Sequence, residues 1–345
     1  MVGLIWVGCG TDQGPVAPNN GATIEVAAKP SAIGAAMAAQ NRHTRSLLAT
    51  SGVVGTATGL GPDGSPAVLV LIESAGVAGI PQSLDGVPVV VKVTGKIRAL
   101  KKPPGTPGGG NGGGDPPVDP TARFDRPVPI GVSTGHPDIT AGTIGCRVTD
   151  GANVYALSNN HVYADENLAT VGDAVIQPGT FDGGSSPADD IGTLSAFEPI
   201  DFGGGNNTID AAIALSSSAD LGKATPSDGY GVPKSITMGA TANLQVKKYG
   251  RTTGLTKGRV IAINATVNVG YGSGTALFIG QIIIDPPGFS AGGDSGSLIV
   301  VDGKGKNKKH DRKPVGLLFA GSSQITIASP IDPVLSRFGV TIDGE

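Results

Sequence analysis

Between residues 121 and 345 the chain repeats one pattern ten times: a short aliphatic run closed by Gly, Asn, Asp or Pro. The runs fall at 141–148, 153–158, 191–197, 208–215, 244–249, 258–269, 276–284, 297–301, 315–320 and 324–328. Segments of that length, β-branched and stopped by turn formers, suit strands that pair through tight reversals. Helical periodicity is confined in this region to 333–338. The spacing therefore predicts a mainly β fold, an antiparallel barrel or sandwich. Composition agrees: 56 glycines and 26 prolines among 345 residues, with 15% charged against the ~25% usual for soluble domains.

From Pro103 to Pro120, thirteen of eighteen residues are Gly or Pro. Such a stretch has nothing to bury, so 102–120 reads as a linker, spanning about 23 Å if flexible. Upstream, Ser31 stands as an N-cap before an Ala-rich helical run to Leu48, and 52–60, 67–73 and 87–93 read as strands. Residues 23–101 are thus expected to form a small α+β domain, a candidate pro- or regulatory unit. Gly59-Leu60-Gly61-Pro62-Asp63-Gly64 has dinucleotide-fingerprint spacing, but a Pro-bounded strand follows where a phosphate-binding helix is needed. Residues 1–22 hold the apolar stretch Val2 to Val7 before Cys9 and read as a leader, a candidate lipoprotein signal remnant with lipid attachment at Cys9. An extracellular or cell-envelope location is the expectation, with membrane contact only through that anchor. The alternative is a leader with an incidental cysteine. A net charge of −3 gives no basic excess for a phosphate backbone, so nucleic acid is not an expected partner.

The segment most able to do chemistry is Gly292-Gly293-Asp294-Ser295-Gly296-Ser297, set between a loop and the aliphatic run 298–301. Small neighbours let the backbone turn sharply, presenting the Ser295 hydroxyl and letting the N–H groups of Gly293 and Ser295 converge as an oxyanion hole. A serine hydroxyl needs a base near neutral pH. Four histidines are present. His43 lies in the first domain, His136 precedes a proline and His310 sits in a basic turn, whereas His161 follows the alternating strand 154–158 at its passage into a loop. To orient the imidazole, Asp210 is the leading carboxylate, a lone charge in the apolar run 208–215 that would be costly to bury unpaired. Asp189, Asp190 and Asp285 are rivals.

The order His161, Asp210, Ser295 and the motifs around each residue resemble the trypsin/chymotrypsin-like (S1-type) serine peptidases, in particular their bacterial branches. Leu157-Ser158-Asn159-Asn160-His161-Val162, Thr208-Ile209-Asp210-Ala211-Ala212 and Gly293-Asp294-Ser295-Gly296 carry the likeness, with Tyr249-Gly250-Arg251-Thr252-Thr253-Gly254 and 315–321 in support. The resemblance covers 125–345. It implies a chymotrypsin-like double β-barrel, preceded here by the small α+β domain, with Ser295 as nucleophile, His161 as general acid and base, and Asp210 as its partner. It also implies a serine endopeptidase acting through an acyl-enzyme on protein or peptide substrates, with no cofactor and no metal. By position Phe319, Ala320 and Gly321 are the edge that receives an extended substrate, and Phe289, Ser290 and Ala291 one wall of the primary pocket. Phe319 stands where many animal members carry a serine beside the triad aspartate, so the surroundings of Asp210 are expected to differ. Cys146 matches half of a common family disulfide, but its partner position is Val162, so a buried free thiol is expected. Asp294 is expected to have a local structural role. Two other functions fit the same residues: a catalytically silent binding protein, and an esterase. The N-terminal domain is the expected intramolecular inhibitor or regulator.

Overall fold

The computed structural model describes residues 31–100 and 118–345; the leader with Cys9 and most of the linker lie outside the described residues. The first described segment runs α1 (Ala32–Leu48), β1 (Val53–Leu60), β2 (Pro66–Ile72), β3 (Ser83–Leu84), β4 (Val87–Val93) and β5 (Arg98–Ala99). The second opens with β6 (Ser133–Thr134), β7 (Gly142–Thr143), β8 (Cys146–Thr149), β9 (Val154–Ser158), α2 (Asn160–Tyr163), β10 (Ala174–Ile176), β11 (Asp190–Phe197), β12 (Asn206–Asn207) and β13 (Ala212–Ser216). It closes with β14 (Gln245–Gly250), β15 (Gly254–Gly270), β16 (Thr275–Asp285), β17 (Leu298–Val301), β18 (Pro314–Gly321), β19 (Thr326–Pro330), α3 (Ile331–Phe338) and β20 (Thr341–Ile342).

The fold is mainly β and has two strand layers of unequal reach. The first is a sheet in the order β10-β11-β13-β9-β8-β20, with the β6–β7 hairpin joined to its β10 edge by the Gly135–Ile176 bridge. The second closes on itself: β15, β16, β19, β18, β17 and β14 pair in turn, and β14 returns to β15. Closure removes free strand edges, which is how a Gly-rich chain of many short strands protects its backbone groups. Leu298, Val300 and Leu317 of the second layer, with Ile331 and Val334 of α3, pack into the core of the first. The two layers therefore meet along a dry seam.

Residues 31–100 join the second layer through hydrogen bonds between strands. β1 pairs antiparallel with β15, from Gly55 opposite Val267 to Gly59 opposite Ala262, and β2 and β4 extend the sheet outward. Alternation along β2 explains why both its faces are buried. Val68, Val70 and Ile72 pack with Ala39 and Leu47 of α1, while Ala67, Leu69 and Leu71 pack with Val267, Phe278 and Phe319 of the barrel. Ser31 caps α1, accepting the Gly34 N–H at 3.2 Å. Gln40 of the same helix is fully buried, donating to the Asn264 carbonyl of β15 at 2.7 Å and accepting from Thr58 at 2.6 Å. No helix among the described residues is long and apolar enough to cross a membrane.

Candidate active site

The expected residues collect at the seam. β9 ends at Ser158, and His161 sits on the single turn α2 that follows, so a short helix stands where a plain loop was expected. Asp210 also differs in setting from the expectation. It lies between β12 and β13, two residues before Ala212, in the stretch 208–211 that belongs to neither strand. His161 and Asp210 are both fully buried, with Nδ1 2.5 Å from Oδ2. A carboxylate only accepts, so Nδ1 is the donor in this pair. Among the described residues Nε2 has no hydrogen-bond partner.

Further groups hold Asp210, among them the Ser329 hydroxyl, which accepts from its N–H at 3.5 Å. The His161 backbone N–H reaches Oδ1 at 3.3 Å, the Tyr271 hydroxyl donates to Oδ2 at 2.9 Å, and the Asn159 amide holds the Asp210 carbonyl at 2.7 Å. Tyr271 escaped the sequence reading. It is carried on the turn between β15 and β16, where the Glu166 carboxylate accepts from the N–H groups of Gly272 and Ser273 and pins the turn. Burial, with Asp210 next to it, holds the Tyr271 hydroxyl neutral well above its ordinary range. Its ring meets His161 edge-on at 5.8 Å.

Ser295 comes from the second layer and is fully buried. Gly293 and Gly296 have φ of +98° and +94°, the left-handed region that favours glycine. A Cβ on Gly296 would lie 2.2 Å from the Thr143 carbonyl and the Ser158 hydroxyl, so this turn presses on the first layer with no room for a side chain. Thr143 fastens the contact by donating its N–H to the Ser295 carbonyl at 2.8 Å and its hydroxyl to the Gly293 carbonyl at 2.9 Å. Below the turn, Asp294 accepts from the N–H groups of Thr252 and Ala291, each at 2.9 Å, and from the Thr253 hydroxyl at 2.8 Å. Lys248, also fully buried, completes the set 3.4 Å away. Arg251 crosses to the first layer and pairs with Asp182.

The Ser295 hydroxyl does not donate to His161. It donates to the Phe319 carbonyl at 3.1 Å. The Gly293 N–H is taken by the Leu100 carbonyl at 2.6 Å. The edge expected to receive an extended chain is also filled: Ala320 and Gly321 of β18 pair with Ala99 and Arg98 of β5, and the Leu100 N–H donates to the Phe319 carbonyl at 3.1 Å. Of the expected wall, Phe289 is buried in an apolar cluster against which Leu100 packs. The Ser290 hydroxyl is 2.5 Å from that of Thr326, and Ala291 is spent on Asp294.

The rivals lie elsewhere. His43 pairs with Asp85 on the surface, and His136 lies 3.2 Å from Asp173. Asp189 pairs with Arg123, and Asp285 with Arg259. Asp190 sits at the start of β11. Cys146 is a buried free thiol whose ionisation burial pushes far up.

The Nal1 C-terminal domain family matches residues 229–328, a span that includes Ser295 and not His161 or Asp210. No curated protein matches the chain. Among solved structures, Thermobifida fusca Protease A is 22% identical, covering 63% of this chain and 100% of its own, with a TM-score of 0.46. A glutamic acid specific serine protease that uses a histidine triad in substrate binding is 22% identical, covering 62% and 100%, with a TM-score of 0.45. Cellulomonas bogoriensis chymotrypsin is 19% identical, covering 64% and 100%, with a TM-score of 0.42. The chain is similar to bacterial chymotrypsin-like serine proteases.

Proposed function

We propose that this chain is a serine endopeptidase in which Ser295 is the nucleophile, His161 the general acid and base, and Asp210 the group that orients and charges the imidazole. One observation carries the reading. A buried His161–Asp210 pair leaves Nε2 without a partner, while across the seam Gly293, two residues from Ser295, already holds a peptide carbonyl on its N–H. In the reaction Nε2 takes the Ser295 proton as Oγ attacks the substrate carbonyl, and the N–H groups of Gly293 and Ser295 receive the oxyanion. Nε2 then protonates the leaving amine, and water releases the acyl group by the reverse path. The negative carboxylate of Asp210 favours the imidazolium that forms midway. That the group held by Gly293 is an amide carbonyl favours peptides over esters.

Covalent labelling with a fluorophosphonate tests this. The expected result is a single adduct mapped to Ser295, abolished in Ser295→Ala and slowed about a thousandfold or more in His161→Ala. Equal labelling of wild type and His161→Ala overturns it. The same reading puts the enzyme outside the cytoplasm, tethered through Cys9. A lipid-modified N-terminal peptide in the mass spectrum supports the tether, and an unmodified Cys9 in membrane-free protein removes it.

A further inference from the structure

A cavity of about 980 Å³ lies away from the cleft, on the outer face of the barrel where α1 meets β15 and β16. Its size is that of a small-ligand site, for which about 300–1,000 Å³ is usual. The cavity has a local cause. Between Ala262 and Val267, β15 slips register against both β1 and β16, and Asn264 takes a φ of +54°. Such bulges bend a strand and re-aim its side chains. Asn264 is turned onto α1, donating its amide to the side chains of Gln40 and Asn41 at 3.0 and 2.9 Å, so the helix becomes one wall. On β16, Leu277 and Ile279 line the cavity while Phe278 between them is buried in the core. The floor is held in shape from beneath: buried Gln281 donates to the carbonyls of Thr208 and Ile279, at 2.8 and 2.5 Å, and both residues line the cavity.

The groups left over define an occupant. Arg45 is the sole charged side chain in the lining and has no ion-pair or hydrogen-bond partner among the described residues. A guanidinium with no carboxylate beside it suits one planar anion, held by two parallel N–H groups. The C-terminal end of α1 borders the same space through Leu48 and Ala49, and its partial negative charge disfavours a multiply charged group such as a phosphate ester. Thr266 and Asn268 share a face of β15, about 7 Å apart, the repeat of an extended chain. Their side chains, like that of Thr208, make no hydrogen bond among the described residues. Leu48, Leu277 and Ile279 add apolar surface between these polar groups. A fatty acid would leave the amide and hydroxyls unmet, and a sugar acid would leave the aliphatic wall unmet. We infer that this cavity is a binding site for a short extended peptide with a free carboxyl end: Arg45 takes the carboxylate, Thr266 and Asn268 take peptide groups, and the aliphatic wall takes a side chain. None of these residues takes part in the proposed hydrolysis.

Fluorescence anisotropy tests this with alanyl-leucyl-alanine labelled at its amino end, on full-length Ser295→Ala protein so that the probe stays intact. The free acid is expected to bind at least about tenfold more tightly than the same peptide ending in an amide. Arg45 is exposed, so its variants keep the fold. Arg45→Gln is expected to bring acid and amide to nearly equal affinity, Arg45→Glu to reverse their order, and Arg45→Lys to keep most of the preference. A photoreactive leucine in the probe is expected to crosslink within 41–49 or 277–280. Equal binding of acid and amide, a preference that survives Arg45→Gln, no binding of either peptide, or crosslinks confined to the surroundings of residue 295 each overturn the inference. All of these leave the peptidase reading standing, because fluorophosphonate labelling of wild type decides that separately.

Discussion

Two buried pairs of ionisable side chains lie at the cleft, one on each side of the seam, and they differ in what they leave over. Under the Ser295 turn, Asp294 accepts from Thr252, Thr253, Ala291 and Lys248, so the pair has no unmet capacity and can only hold shape. Across the seam His161 and Asp210 satisfy one another through Nδ1 and leave Nε2 bare. An unsatisfied buried polar atom costs free energy that a merely structural pair would not bear. The contrast is between a pair whose groups are all engaged and one that leaves a ring nitrogen over.

The comparison can be broken in several ways. The largest effect is expected from Asp210→Asn, which keeps the volume but changes which imidazole nitrogen carries hydrogen: about a ten-thousandfold loss in turnover, with little change in unfolding. Peptide hydrolysis and urea melts read the two halves of that statement, and a loss under tenfold would make the pair a brace like the other. Asp294→Ala is expected to behave in the opposite sense. It strands Lys248 in the interior, where burial already pulls its ammonium below the ordinary lysine range, and should cost about 3–5 kcal/mol of stability. Adding Lys248→Met to that variant should return most of the loss in a urea melt; no recovery would mean the charge pair is not what Asp294 serves.

Smaller effects sharpen the picture. Tyr271→Phe removes one of the donors to Asp210 and should lower kcat/KM about tenfold. Because Tyr271 stays neutral far above pH 10, wild type and variant should share the same alkaline limb; an alkaline loss near pH 10 present only in wild type would show the hydroxyl ionising. Smallest is the pair of exposed Arg123 with buried Asp189, a control for both. Arg123 holds the Asp189 carboxyl below its ordinary range, so the pair contributes stability above that range and loses it as pH falls through the folded value. Arg123→Gln should flatten the acid limb of the melting curve and leave activity at neutral pH untouched.

Much of this arrangement was legible before any coordinates, because strands announce themselves by alternation: 298–301 and 315–320 emerge as β17 and β18 almost residue for residue. The three candidate residues stand out by their surroundings, against rivals such as His136 and Asp189 that share their chemistry. The apolar neighbours of Asp210 place it inside a strand, yet only those from Ala212 onward join the ladder, as β13. Tyr271 gave no signal, being one aromatic in a Gly-Ser turn whose target is 61 positions away. Nor could alternation reveal that β1 seeks β15, or that a two-residue strand before the linker fills the cleft. Periodicity sets which face a residue takes; the identity of the partner strand comes from the whole fold.

The pairing of β1 with β15 has a consequence for how the chain is made. Gly55 meets Val267 across more than two hundred residues of sequence, so this edge closes only after residue 267 of 345 has been synthesised. Contacts of that span carry a large loop-closure entropy and slow the search for the native topology. While they are absent, the outer edge of β15 stands open, with Ala262 to Val267 offering unpaired amides to any neighbouring strand. In the folded chain β1 covers that edge in cis, from Gly55 opposite Val267 to Gly59 opposite Ala262.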